Sequence, residues 1–155
     1  TILAIMLGSD KTHLTNFSGN KKMHPVYLSL GNIQKSVRNK PNKHAWILLA
    51  NLPISKFAAT HFDNSHLADE MKGMPGLLQK ILYHECLRIV LKPLHEHYRT
   101  GCIIRPVPLL DAHGMTRTCI LILMAWIVDL EEVLDLLGLC RNSCPKCTAQ
   151  YKDLG

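Results

Sequence analysis

Ile120-Leu121-Ile122-Leu123-Met124-Ala125-Trp126-Ile127-Val128-Asp129 is an apolar run that ends on an acid, and Ile2-Leu3-Ala4-Ile5-Met6-Leu7-Gly8-Ser9-Asp10 does the same at the start of the chain. Runs of this length without polar alternation suit strands buried on both faces of a sheet. In open α/β sheets, ligands collect beyond the carboxyl ends of the strands. If the two strands are neighbours, Asp10 and Asp129 converge there. Paired carboxylates at such a place are a common cradle for a divalent metal in phosphoryl chemistry. The competing reading is two core strands that happen to stop at a good turn former.

The rest of the chain is read outward from these runs. Pro25–Leu30 and Ala45–Ala50 predict two further strands, separated by a basic connector over residues 34–44 around Pro41. Three short strands in a row predict an antiparallel meander. Residues 58–75 look irregular. From Gly76 the apolar residues Leu77, Leu78, Ile81, Leu82, Ile89, Val90 and Leu94 recur at helical spacing, with a possible kink at Pro93 and an end near Gly101. Residues 102–110 read as extended and Asp111-Ala112-His113-Gly114 as a turn. The second long strand is expected over 119–128, followed by a short helix over 131–137 that stops at Gly138. The order β-β-β-α-β(β)-α predicts an α/β fold and matches the opening of a ribonuclease-H-like core. In that fold the first strand lies beside the strand that follows the first helix.

Size and charge narrow the function classes. A chain of 155 residues is one domain by default. Its longest apolar run is about half of what a bilayer-spanning helix requires, so no membrane partner is expected. Nothing at the start reads as a secretory signal, and the first residue is Thr1, which points to a fragment. The first 60 residues hold eight bases (Lys11, Lys21, Lys22, Lys35, Arg38, Lys40, Lys43 and Lys56) against one acid, Asp10, while the remainder is nearly neutral. A one-sided positive field attracts polyanions, so DNA contact is expected from Lys11, Lys21, Lys22, Lys35, Arg38, Lys40 and Lys43. A solvated lysine surface is the alternative.

Of the six cysteines, Cys86, Cys102 and Cys119 sit in or beside apolar segments and read as small hydrophobes. Cys140, Cys144 and Cys147 are clustered, and Cys144-Pro-Lys-Cys147 has the C-x₂-C spacing that lets two sulfurs reach one Zn²⁺. Zinc takes four ligands and three are visible. Glu131 and Glu132 stand at the start of a short helix, where acids favour the dipole, and are assigned to capping and surface roles. Asp111 is an alternative to Asp129 as the second acid, although its surroundings have turn chemistry. The histidines, including His61, His66, His84, His95 and His97, read as surface or packing residues. No P-loop, dinucleotide fingerprint, nucleophile elbow or H-E-x-x-H is present.

Ser9-Asp10-Lys11-Thr12-His13-Leu14-Thr15-Asn16-Phe17-Ser18-Gly19, followed by Pro25-Val26-Tyr27-Leu28-Ser29-Leu30-Gly31-Asn32-Ile33, resembles the transposases of fungal Plavaka elements, of the CACTA (En/Spm-like) class of DNA transposons. Lys35–Pro41, Leu52–Lys56, Gly114, Arg117, the Asp129 region with Glu132, and Cys144–Cys147 continue the match. The resemblance implies a ribonuclease-H-like catalytic core with a DDE/D acid set, Mg²⁺ or Mn²⁺ on Asp10 and Asp129, a DNA substrate, a nuclear location and possible oligomerisation. By the same resemblance residues 1–138 are part of the catalytic domain, and 139–155 open a Cys-rich insertion that could bind zinc. Glu131 stands where the family usually has a proline, and the turn at 111–114 is a loose version of a more regular Asp-Gly turn. The third acid would lie beyond Gly155. The expectation is therefore a transposase fragment, inactive alone. A non-enzymatic nucleic-acid-binding module and an inactive structural remnant remain open.

Overall fold

The N-terminal apolar run forms β1 (Ile2–Ser9), whose second half is buried at Ile5, Met6 and Leu7. The computed structural model describes residues 1–13, 22–57, 73–98, 105–140 and 142–147. The chain divides into two interleaved compact units. The first comprises Thr1–Ser9, Pro25–Asn51 and Arg88–Ile127. Its sheet holds β1, β3 (Lys22–Leu30), β4 (Ile47–Leu52), β5 (Val107–Leu110) and β6 (Thr116–Ile127), hydrogen-bonded in the succession β4-β3-β1-β6-β5. β1 runs antiparallel to β3 and parallel to β6, and β5 and β6 form an antiparallel hairpin. The fold is mixed α/β, as the sequence predicts, and the two acid-terminated runs are neighbours.

Side chains extend the central ladder beyond the regular pairing. Leu30 is opposite Ile5, and the Gly31 amide then donates to the Ala4 carbonyl at 2.6 Å. Asn32 continues as a false strand residue. Its Oδ1 accepts from the Ala4 amide at 2.8 Å and its Nδ2 donates to the Ile2 carbonyl at 3.0 Å. The close approach explains the glycine: a Cβ on Gly31 would lie 2.7 Å from Met124 Cε and 3.1 Å from Ala4 Cβ.

Several boundaries differ from the sequence expectation, β6 among them, which runs Thr116–Ile127 rather than 119–128. The second strand starts at Lys22 rather than Pro25 because a two-residue strand, β2 (Thr12–His13), pairs with Lys22 and Met23. Pro25 falls between that pairing and the pairing with β1, which begins at Val26, where no ladder donor is required. The basic connector contains α1 (Lys35–Arg38) and a 3₁₀ turn over Pro41–Lys43, and β4 begins two residues late at Ile47. The long helix is two: α2 (Met74–Val90) and α3 (Lys92–Tyr98), with Pro93 in the first turn of α3, where its missing N–H costs nothing. Gly101 lies outside the described residues. β6 also departs from burial on both faces, since Leu123, Met124 and Ile127 are exposed.

The second unit comprises Asp10–His24, Leu52–Leu87 and Val128–Gly155. Leu52, Leu87 and Leu134 are its buried apolar residues among those described, accompanied by buried His24 and Glu132. α4 (Leu130–Leu136) closes it. At the end of α4 the Leu139 amide donates to the Leu134 carbonyl and the Gly138 amide to the Asp135 carbonyl, with Gly138 at φ 67°. This is the Schellman pattern, and it accounts for Gly138. Among the described residues no helix is long and apolar enough to cross a membrane.

Candidate functional site

The register of β1 on β6 decides where the two acids stand. Ile2 to Ile5 pair with Ile120 to Leu123 in regular parallel steps. Between Ile5 and Met6 the register slips by one, so that Met6, Leu7 and Gly8 face Ala125, Trp126 and Ile127. Continued without the slip, the first register would have set Val128 level with Asp10. With it, Asp10 and Asp129 each stand two residues past the last matched pair, Gly8 and Ile127. Adjacent strands lie ~4.8 Å apart, so a one-residue slip decides which residues of the two strands stand side by side. Both aspartates are exposed. Just before them, the Trp126 indole N–H donates to Ser9 Oγ at 3.1 Å. Thr12 Oγ1 donates to Asp10 Oδ2 at 3.3 Å.

Asp129 is also the N-cap of α4. Its Oδ1 accepts from the Glu132 amide at 2.7 Å, in the extended conformation caps adopt. The D-x-x-E spacing is that of a capping box, in which the glutamate would reach back to the cap amide. Here its Oε1 instead takes hydrogen bonds from His24 Nε2 at 2.9 Å and from the Tyr83 hydroxyl at 3.0 Å. The His24 and Tyr83 rings stack, with centroids 5.5 Å apart and planes 6° from parallel. Burial, and then the negative charge of Glu132, push the Tyr83 phenol far above its ordinary range, so it stays a donor. Glu132 is thus buried, not the surface residue its place in the helix predicts.

Further along α4, His84 Nε2 meets the Asp135 carbonyl at 2.9 Å, and Lys80 Nζ lies 3.3 Å from the Asp135 carboxylate. A cleft of about 220 Å³ opens in this unit, and Lys11, Lys80, Tyr83, Asp129, Glu131 and Glu132 are among its lining residues. It presents carboxylates and ammonium groups together, a combination suited to a cation and a phosphate side by side.

Asp111, the alternative second acid, caps the β5–β6 hairpin turn. It accepts from the His113 and Met115 amides, both at 2.9 Å, and from Arg117 Nε at 2.6 Å. The Arg117 guanidinium holds its carboxyl below the usual range. Of the predicted DNA contacts, Lys35, Lys40 and Lys43 are exposed on the 31–46 loop of the first unit. Arg38 is half-buried and braces that loop by donating to the Gly31 and Ile33 carbonyls at 3.3 and 3.1 Å. Lys11 and Lys22 are exposed in the second unit, and Lys21 lies outside the described residues, as do His61, His66 and Cys102.

Cys144 Sγ accepts from the Lys146 amide at 3.4 Å, and that bond, then bonds from Cys147, pull its thiol below the ordinary value. Such amide-to-sulfur bonds are what a C-x₂-C turn provides. Cys140, Cys144 and Cys147 are free thiols. Among the described residues no three His, Cys, Asp or Glu side chains are gathered to hold a metal ion. Carboxylates with water suit Mg²⁺ or Mn²⁺, and three thiols with one further ligand suit Zn²⁺, so the donor types of Asp10 and Asp129 and of Cys140, Cys144 and Cys147 match those two kinds of ion.

The sequence reading missed His24, Tyr83 and the inward turn of Glu132. The D-x-x-E spacing was the available signal, but spacing does not reveal which way the glutamate points.

No curated protein and no solved structure matches the chain. The model of the Plavaka transposase family matches residues 1–155, and the chain belongs to that family.

Proposed function

We propose that this chain carries part of the catalytic centre of a DDE/D-type DNA transposase of the CACTA class, built on a ribonuclease-H-like core. In this reading Asp10 and Asp129 are two of its acids. One observation carries it: a parallel β1–β6 pair whose last matched residues, Gly8 and Ile127, are each followed two positions on by an aspartate. The strand succession β4-β3-β1-β6, with β3 antiparallel and β6 parallel to the central β1, supports the same core. Family membership implies interaction with DNA, and the cell nucleus is where this substrate resides.

Asp10 and Asp129 would hold Mg²⁺ or Mn²⁺ through carboxylate oxygens. Bound there, such an ion supplies charge neutralisation at phosphate and a more acidic attacking water or hydroxyl. The chain's own residues do the rest. The cap bond from the Glu132 amide orients Asp129, and the Thr12 hydroxyl does the same for Asp10. Lys11 and Lys80 on the cleft wall oppose the charge of a phosphodiester. Lys35, Lys40 and Lys43 contact backbone phosphates away from the cleaved bond, a role that positions DNA without reading its sequence. The knuckle at Cys140, Cys144 and Cys147 is a candidate zinc site that takes no part in these steps.

The test is Mn²⁺ binding to the 155-residue chain, followed by the paramagnetic signal of the free ion. Asp10→Asn and Asp129→Asn should each weaken binding at least tenfold, in keeping with loss of a ligand from a site of two carboxylates. Equal affinity in wild type and both variants would refute the assignment. Zinc analysis of the same preparations, repeated with Cys144→Ser, decides the knuckle.

A further inference from the structure

We infer that His24 and Tyr83, by holding the buried Glu132 carboxylate, form with it a positioning set that fixes the direction of the Asp129 carboxylate. The inference rests on the reading of Asp129 as a metal-holding acid, and extends it to three residues with no assigned role.

The argument starts from α4 itself. A helix of seven residues is far too short to persist on its own, so its placement comes from what it packs on. Only Glu132 and Leu134 of α4 are buried. Leu134 is an apolar anchor in the middle of the helix. Glu132 is the anchor of the first turn, and it is polar.

Burying a carboxylate is costly unless it is hydrogen-bonded, and its bonds come from residues set on two other elements. His24 stands on β3, with 4 % of its surface exposed, and Tyr83 stands on α2. Both donate to the same oxygen, Oε1. Their stacked rings fix the two donors relative to one another. The consequence passes through one residue. The backbone amide of Glu132 is the group that donates to Asp129 Oδ1. Whatever holds Glu132 in place therefore holds the donor that aims Asp129.

An apolar residue at 132 would also fill the space. It would not set the rotation of the first turn, because dispersion contacts are not directional and hydrogen bonds are. A carboxylate held by two donors from separate elements fixes both where the turn lies and how it is rotated. That is the requirement for aiming a carboxylate at an ion.

The experiment compares Glu132→Ala, Glu132→Gln and Tyr83→Phe with wild type, using two readouts. The first is Mn²⁺ affinity of the whole chain. Glu132→Ala is expected to weaken it roughly tenfold, the usual effect of removing a group that orients a ligand. Glu132→Gln keeps an acceptor oxygen for Tyr83 and is expected to recover most of that loss. Tyr83→Phe removes one donor and is expected to weaken binding about threefold. Leu52→Ala, at a buried residue outside the set, supplies a variant destabilised by a lost core contact instead. Equal loss of Mn²⁺ affinity in Leu52→Ala and Glu132→Ala would overturn the inference, since general loosening would then suffice.

The second readout is hydrogen exchange at the residue-132 amide, which reports the cap bond without metal. It is expected to accelerate about tenfold in Tyr83→Phe while β1 amides stay protected. Unchanged exchange would overturn the inference even if Mn²⁺ binds. If Asp129→Asn leaves Mn²⁺ affinity intact, the metal reading falls. Faster exchange at residue 132 in Tyr83→Phe would then still uphold the positioning of the Asp129 carboxylate.

Discussion

Asp111 and Asp129 both follow an extended segment, yet their carboxylates are put to different uses. Asp111 is consumed by its own turn: two amides and the Arg117 guanidinium converge on it. Asp129 takes a single amide on Oδ1. The Asp111 interactions favour the ionised form, led by the bond from Arg117, so its carboxyl is held below the ordinary aspartate value of 3.8. A depressed carboxylate stabilises the fold above its unfolded pKa, and that contribution is lost as pH falls through the lower folded value. Asp111→Asn should therefore lower the melting temperature at neutral pH. The gap should close as pH drops below about 3.8, the range in which an unperturbed aspartate protonates. Paired thermal melts from about pH 7 to about pH 2 check this. A gap that persists unchanged to the acid end would mean that the substitution costs packing rather than charge. The same variant should leave Mn²⁺ affinity at its wild-type value, which separates Asp111 from Asp129 as the second acid.

β6 shows how a single extra residue in an element can set a register. Its bulge opposes Met6 with one residue more than a regular ladder holds, and Met124 is the residue in excess. Met124 is 56 % exposed, so its side chain contributes little buried area. Two deletions of equal size should then act in opposite ways. Removing Met124 restores a regular ladder, with Leu123 opposite Ile5 and Ala125 opposite Met6, and leaves Asp129 level with Asp10. Mn²⁺ affinity should stay within about twofold of wild type, because no ligand moves. Removing Val128 leaves β6 whole but pulls Asp129 one position back, and affinity should fall at least tenfold. If both deletions abolish binding, the register of β6 on β1 is not what Mn²⁺ affinity depends on.

The two long strands and their adjacency were legible, since runs such as Ile120–Val128 have few other uses. The bulge was not, because nothing in an unbroken apolar run marks which residue a ladder will skip. The exposure of Leu123 and Ile127 was hidden for a related reason: hydropathy reports what a face tolerates, not what covers it. The start of β3 at Lys22 was missed because a two-residue partner strand carries no periodicity. The inward turn of Glu132 depends on His24, which is 108 positions away, and no local pattern encodes that distance.

Across the whole chain the net charge is +6, and all of it arises in the first 60 residues. Spread evenly, such a charge would be largely screened at physiological salt beyond about 8 Å. It would then give binding that is indifferent to which lysine is removed. The 31–46 loop concentrates it instead. Lys35, Lys40 and Lys43 lie within nine positions, and Arg38 ties the loop to the Gly31 and Ile33 carbonyls. The Ser29 hydroxyl fixes the far end by donating to the Ala45 carbonyl at 2.8 Å. A braced loop gives up less entropy on contact than a mobile tail, so its ammonium groups should act as individual phosphate contacts. Each such contact contributes about 0.9 to the slope of log K against log salt on duplex DNA. The double variant Lys40→Ala, Lys43→Ala should therefore lower that slope by roughly 2 and weaken binding to unrelated sequences alike. Lys92→Ala removes one positive charge, as a single Lys40→Ala does, from a lysine 3.9 Å from Glu96 outside the basic segment, and should change neither quantity appreciably. Fluorescence anisotropy with two unrelated duplexes between about 50 and 200 mM salt measures both slopes. Equal effects of Lys92→Ala and of a single Lys40→Ala would return the attraction to diffuse net charge. A slope of zero in the wild type would remove DNA backbone contact from the loop altogether.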